Sequence, residues 1–76
     1  MIKFEELKRK DGWVYCSKCK RVFKASEAKI QRDYYEDYFS CPYEDCDGDN
    51  YDFLWWDDVC IDKTKIPMKN VKYNFL

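Results

Sequence analysis

Histidine is absent from the 76-residue chain. Its absence excludes Cys2His2 metal sites and every mechanism that moves a proton on imidazole. No apolar run approaches the roughly 18 residues that a membrane-spanning helix requires, so no membrane association is expected. The start, Met1-Ile2-Lys3-Phe4-Glu5-Glu6-Leu7-Lys8, has no apolar segment of the secretory kind, and a cytoplasmic location is expected. The chain carries no Ser/His/Asp set, no phosphate loop and no zinc pattern with an open coordination position. Its many Asp and Glu are not paired in an evident cleft. With neither an activated nucleophile nor a positioned acid and base, it is expected not to be an enzyme.

Two cysteine pairs organise what remains. Cys16 and Cys19 frame Cys16-Ser17-Lys18-Cys19, and Cys41 and Cys46 frame Cys41-Pro42-Tyr43-Glu44-Asp45-Cys46. The pattern is C-x2-C, a spacer of 21 residues, then C-x4-C. Short pairs of this kind let one tight turn supply two thiolates to a tetrahedral ion, with metal–sulfur distances of about 2.3 Å. The spacer is long enough for strands to bring the second pair to the first. Five cysteines is an odd number, and without a secretory segment the paired thiols read as metal ligands rather than a disulfide framework. The expected metal ligands are Cys16, Cys19, Cys41 and Cys46, holding Zn2+ in a closed, structural site, with iron as the alternative. Cys60 reads as a small buried apolar residue beside Val59 and Ile61. A ligand role for it, or a second labile thiol, is the alternative.

This pattern resembles the zinc ribbon family over roughly residues 13–56, on the strength of the same four cysteines. The resemblance implies a small metal-stabilised β domain, a zinc-ribbon-like antiparallel sheet of three to four strands whose two knuckles pinch one ion. Residues 1–76 then form one such domain, with the metal core at 13–56 and residues 1–12 and 63–76 as extensions. Zinc ribbons occur in transcription, translation and replication proteins. Many have C-x2-C at both knuckles with Gly after each second Cys; here Lys20 and Asp47 stand at those places, and Gly48 comes one residue late. Cys41-Pro42-Tyr43 also resembles the second knuckle of rubredoxins, which implies iron and electron transfer. The two-residue insertion in C-x4-C would loosen the encapsulation that tunes an iron potential.

A chain this short buries little apolar surface and benefits from a staple. Structural zinc contributes an apparent 10–16 kcal/mol, of order 10 kcal/mol, in finger-like peptides. That exceeds the net stability of a whole small domain, roughly 5–10 kcal/mol, so the ion can decide whether the chain folds. The net charge of −1 hides a polar layout. Residues 1–29 carry nine bases and four acids, residues 30–62 one base and eleven acids, and residues 63–76 four bases and no acid.

In chain order, Ile2, Phe4 and Leu7 fit a short helix or an entering strand, with the three-residue step from Phe4 to Leu7 and the order of acids and bases favouring a helix. Asp11-Gly12 signals a turn. Trp13-Val14-Tyr15 reads as a strand into the first knuckle and Arg21-Val22-Phe23-Lys24 as a strand out of it, with Val22 and Phe23 on opposite faces. Lys18, Lys20 and Arg21 offset thiolate charge at a solvated hairpin tip, or else contact nucleic acid. Residues 25–30 read as a linker or helical turn, and Tyr34–Cys41 as a strand into the second knuckle.

Counting from Asp45, Gly48 falls at position four and Trp56 at position twelve, so the acidic stretch is not an EF-hand loop. An acidic turn in which Gly48 supplies a positive φ is expected instead. Tyr51–Trp56 is apolar on both faces and is expected to be the central strand, with Trp55 or Trp56 covering the metal. The alternative is a surface tryptophan that stacks bases or binds a peptide. In the tail, Val71, Tyr73 and Phe75 alternate and could add an edge strand or form a partner-dependent extension.

Three functions fit these residues. The first is a small interaction module that docks on a protein partner through an aromatic and acidic surface. The second is a nucleic-acid-binding ribbon, against which the pI of 5.4 and the acidic centre weigh. The third is a rubredoxin-like iron electron carrier. The oligomeric state has no signature in the sequence.

Overall fold

The computed structural model describes residues 1–61, 64–69 and 71–75. The expected boundary at Lys63, and Asn70 and Leu76 of the tail, lie outside the described residues. The chain begins with helix α1, Phe4–Arg9. Its acids, Glu5 and Glu6, lie in the first turn and its bases, Lys8 and Arg9, in the last, the order that the helix dipole favours. Strand β1, Trp13–Cys16, leads into the first knuckle and β2, Val22–Lys24, leaves it. A 3-10 turn, Ala25–Glu27, is closed by the Glu27 carboxylate, which accepts from the Lys24 N–H at 3.0 Å. Strands β3, Lys29–Arg32, and β4, Asp37–Ser40, then form a hairpin. After the second knuckle come a 3-10 turn, Asn50–Asp52, the strand β5, Phe53–Trp55, and a single helical turn α2, Trp56–Val59.

The result is β-rich and antiparallel, with two sheets rather than one. The first has three strands in the order β2-β1-β5, and the second is the β3-β4 pair alone. The expected sheet of three to four strands is therefore a three-stranded sheet with a separate hairpin beside it. The expected central strand is also corrected: β1 is central, and β5 is an edge. The Tyr51–Trp56 segment is apolar on both faces because two clusters flank the sheet. Phe53 and Trp55 face one cluster, with Val14, Phe23, Ile2 and Leu7. Leu54 and Trp56 face the other, with Tyr15, Val22 and Cys60. Val22 and Phe23 divide between the two faces as strand alternation requires.

The first 11 residues close one face of the sheet. Ile2 and Leu7 are buried with Cys16 and Cys41, and the Phe4 ring meets the Phe39 ring at 4.7 Å. Asn50, the one buried polar residue among those described, explains how this segment and β4 are joined. Its side-chain amide donates to the Ile2 carbonyl at 2.9 Å, and its side-chain oxygen accepts from the Phe39 N–H at 3.2 Å. A buried amide is stable only with its donors and acceptor so used.

The tail forms no strand between residues 71 and 75. Tyr73 and Phe75 instead lay their rings on the second cluster: Trp56 meets Tyr73 at 5.0 Å and Phe75 at 5.3 Å. One backbone bond, from the Tyr73 N–H to the Lys20 carbonyl at 2.8 Å, ties the tail to the first knuckle. No helix of the described residues is long and apolar enough to cross a membrane.

Candidate metal centre

The first knuckle is built by backbone geometry. The Cys16 N–H donates to the Arg21 carbonyl at 2.9 Å and the Lys20 N–H to the Cys16 carbonyl at 2.7 Å. To close this turn Lys20 adopts φ of 62°, the left-handed region that residues with a Cβ enter at a cost. In the second knuckle the Cys46 N–H donates to the Tyr43 carbonyl at 3.1 Å, and the Cys41 N–H to the Gly48 carbonyl at 2.9 Å. β5 fastens the first knuckle from below: Cys16 pairs with Phe53 in register, and the Asp52 carbonyl accepts from both the N–H and the hydroxyl of Ser17 at 2.9 Å.

These turns bring Cys16, Cys19, Cys41 and Cys46 together, with all four sulfurs within 4.8 Å of one another. Two close pairs cross between knuckles: Cys16 to Cys46 and Cys19 to Cys41, each at 3.8 Å. A tetrahedron with metal–sulfur bonds of about 2.3 Å has edges of about 3.8 Å, so the cluster has the size of a four-thiolate metal site. No disulfide joins any of the five cysteines. Cys16 and Cys41 are buried, whereas Cys19 and Cys46 are half-buried. Cys60 lies apart, in the cluster of Tyr15, Val22 and Trp56, and is not one of the four.

The electrostatics of the sulfurs follow from their crowding. The Cys16 thiol is pulled down to about 5, first by a hydrogen bond with Cys41 and then, against the cost of burial, by the N–H groups of Cys19 and Lys18. Cys41 is pushed up because it keeps the proton shared with Cys16, and because it is buried. Cys46 is pushed up to about 11, chiefly by burial, although the Gly48 N–H donates to its sulfur at 3.4 Å. Four sulfurs this close cannot all carry charge alone. A thiophilic dication answers that repulsion, and an all-sulfur donor set suits zinc or iron.

The knuckles are also clasped by charge. Lys18 pairs with Asp47 at 2.9 Å, and Arg21 pairs with Asp45. The basic first third and acidic middle of the chain thus meet at the cluster, and two of the three expected knuckle bases are committed to carboxylates. The Cys19 sulfur adds to the negative surroundings that hold Arg21 charged. The residues inside C-x4-C have a structural use. Tyr43 turns inward against Phe23, at 6.4 Å between rings, and its hydroxyl donates to the Val22 carbonyl at 2.6 Å.

One expectation about this region is corrected, and one alternative falls away. Gly48 has no positive φ. It is a glycine of close approach: a Cβ there would lie 3.1 Å from the Cys16 sulfur and 3.4 Å from that of Cys46. Neither tryptophan is a surface platform, because Trp55 is 6% and Trp56 5% exposed. Trp55 shares the cluster of Cys16 and Cys41 but stands opposite Val14, and its indole N–H donates to Glu6 at 2.9 Å. Phe53, not a tryptophan, stands opposite Cys16. Trp56 is on the other face.

Comparison of the chain with protein-family models, with curated proteins and with solved structures finds no match. The four-cysteine cluster in a small antiparallel β-rich fold is thus the observation from which function must be argued.

Proposed function

We propose that the chain is a small zinc-ribbon-like interaction module, stapled by structural Zn2+ on Cys16, Cys19, Cys41 and Cys46, that docks on a protein partner and catalyses no reaction. The observation that carries this reading is the pair of 3.8 Å sulfur distances across the knuckles, equal to the edge of a zinc–thiolate tetrahedron at about 3.8 Å. With four protein ligands no coordination position is left for substrate, which is the signature of a structural site.

Two features favour a protein partner over nucleic acid. Lys18 and Arg21, the bases best placed beside the knuckle to meet phosphates, are engaged by Asp47 and Asp45. Trp55 and Trp56, the best candidates for base stacking, are buried. Titration with a single-stranded oligonucleotide at low salt tests the choice. No shift is expected, and a salt-dependent shift would favour the nucleic-acid reading. The colour of the purified protein tests the metal. A colourless sample is expected, and a red one would move the reading to an iron electron carrier.

A further inference from the structure

Among the described residues, cations cover five aromatic rings. Lys8 lies over Phe4, Lys24 over Trp13, Arg21 over Tyr43, Lys10 over Trp55 and Lys65 over Tyr73, at 4.1–5.4 Å. Among the described residues none covers Tyr34, Tyr35, Tyr38 or Tyr51, and Tyr38 and Tyr51 line one groove. Tyr34 and Tyr35, at the tip of the β3-β4 hairpin, are 89% and 88% exposed and meet edge to face at 5.1 Å. Glu36 follows them directly. It opens onto a groove of about 270 Å3 between the start of α1, β4 and the Asn50–Asp52 turn.

The walls of that groove include Phe4, Tyr38 and Tyr51, and its charged side chains are Glu36, Asp37 and Lys3, with Met1, which carries the terminal amine, also lining it. Glu36 forms no ion pair among the described residues, and Asp37 faces only the exposed Arg32, loosely, at 3.8 Å. Aromatic faces beside under-used carboxylates suit a planar cation. A guanidinium can stack on a ring and give two parallel hydrogen bonds to a carboxylate, which a compact ammonium cannot do. The groove is also held in shape: Phe39 packs on Phe4, and Asn50 bonds both Ile2 and Phe39. A preformed wall reduces the ordering cost of binding. Exposed tyrosines at its rim are the side chains most enriched at such contacts.

Resting on the reading of the chain as a protein-binding module, we propose that this groove and the adjoining Tyr34–Tyr35 tip dock an arginine-bearing segment of a partner protein. Glu36 and Asp37 take the guanidinium, Tyr38 and Tyr51 flank it, and the two tip tyrosines cover the neighbouring backbone.

The test is a titration of the metal-loaded full chain with N-acetyl-arginine amide, followed through backbone amide resonances. Saturable shifts are expected at Glu36, Asp37, Tyr38 and Tyr51, several-fold larger than those produced by N-acetyl-lysine amide. Glu36→Gln combined with Tyr51→Ala should remove most of the response while leaving the resonances of the cysteine knuckles in place, since both side chains are outside the core. Absent shifts, shifts spread evenly to Asp57 and Asp58, or an equal response to lysine would overturn the proposal. A single-stranded oligonucleotide serves as the companion probe. If it binds, the protein-binding reading itself fails; if neither it nor arginine binds, the docking site alone is lost.

Discussion

The guanidinium of Arg21 lies 4.1 Å from the centre of the Tyr43 ring while pairing with Asp45. One side chain from beside the first knuckle thus grips two residues inside the second. Its side chain is only 14% exposed although Asp45 is 74% exposed, so the stacking on Tyr43 is the shielded part of the contact and the ion pair is open to solvent. Partners of this kind, one step beyond the ligands, change metal affinity by about 10- to 100-fold. Arg21→Ala is expected to speed metal loss to a competing chelator by about 10-fold without changing the near-ultraviolet circular dichroism of the loaded form. Arg21→Lys should not restore the slow rate, because an ammonium cannot stack on Tyr43 and bridge to Asp45 at once. Stopped-flow transfer of the metal to a chelator reads both.

Lys20 offers a gain rather than a loss. At φ of 62° its Cβ is strained, and its role in the turn is carried by backbone atoms, the bonds to the Cys16 carbonyl and from the Tyr73 N–H. Glycine removes the strain but widens the unfolded ensemble. The balance predicts that Lys20→Gly stabilises the metal-loaded fold by about 0.5–1 kcal/mol, while Lys20→Val, β-branched, destabilises it by at least that much. Denaturant melts of the three proteins decide the order.

The cysteines divide four to one. Cys16→Ser or Cys41→Ser should leave the chain unfolded, because loss of a buried ligand removes most of the metal's contribution. Cys60→Ser should cost about 1 kcal/mol, as an ordinary polar substitution in the Tyr15–Trp56 cluster. Native near-ultraviolet circular dichroism in either ligand mutant after chelation would contradict the assignment.

How much of this was legible in the chain depends on how local each signal was. The clustering of the four cysteines was legible because two short spacings define it. The first hairpin was legible from Trp13-Val14-Tyr15 and Val22-Phe23, whose alternation is preserved in the structure. β3 was not: Lys29-Ile30-Gln31-Arg32 is exposed along its whole length and is a strand only because it pairs with β4. The rank of β5 was misjudged because apolarity on two faces reports burial, not pairing. Here α1 and the tail supply the burial that a second neighbouring strand was expected to give. The alternation of Val71, Tyr73 and Phe75 likewise marked rings that pack rather than a backbone that pairs. Asn50 carried no sequence signal, since its two partners, Phe39 and Ile2, come from 11 and 48 positions away in the chain.

Acid should release the metal. The thiols of Cys41 and Cys46 are held above their ordinary value, so they keep their protons at neutral pH until an ion displaces them. Binding that releases protons strengthens as pH rises and weakens as it falls. The clasp carboxylates run the same way: Arg21 holds Asp45 and Lys18 holds Asp47 below the usual range. Their contribution is therefore complete above about pH 4 and is lost as pH falls through the lowered values. Metal release should precede loss of the clasp on acidification. Chelator competition at about pH 6 and pH 8 should show tighter binding at the higher pH; equal affinities would contradict it.

The claim on which everything else rests is that one ion, held by four sulfurs, keeps the chain folded. Metal analysis of protein purified without chelator, followed by circular dichroism before and after chelation, tests it directly. The expected result is one zinc per chain and collapse of the near-ultraviolet signal once the ion is removed. A metal-free protein that retains that signal in full would contradict it.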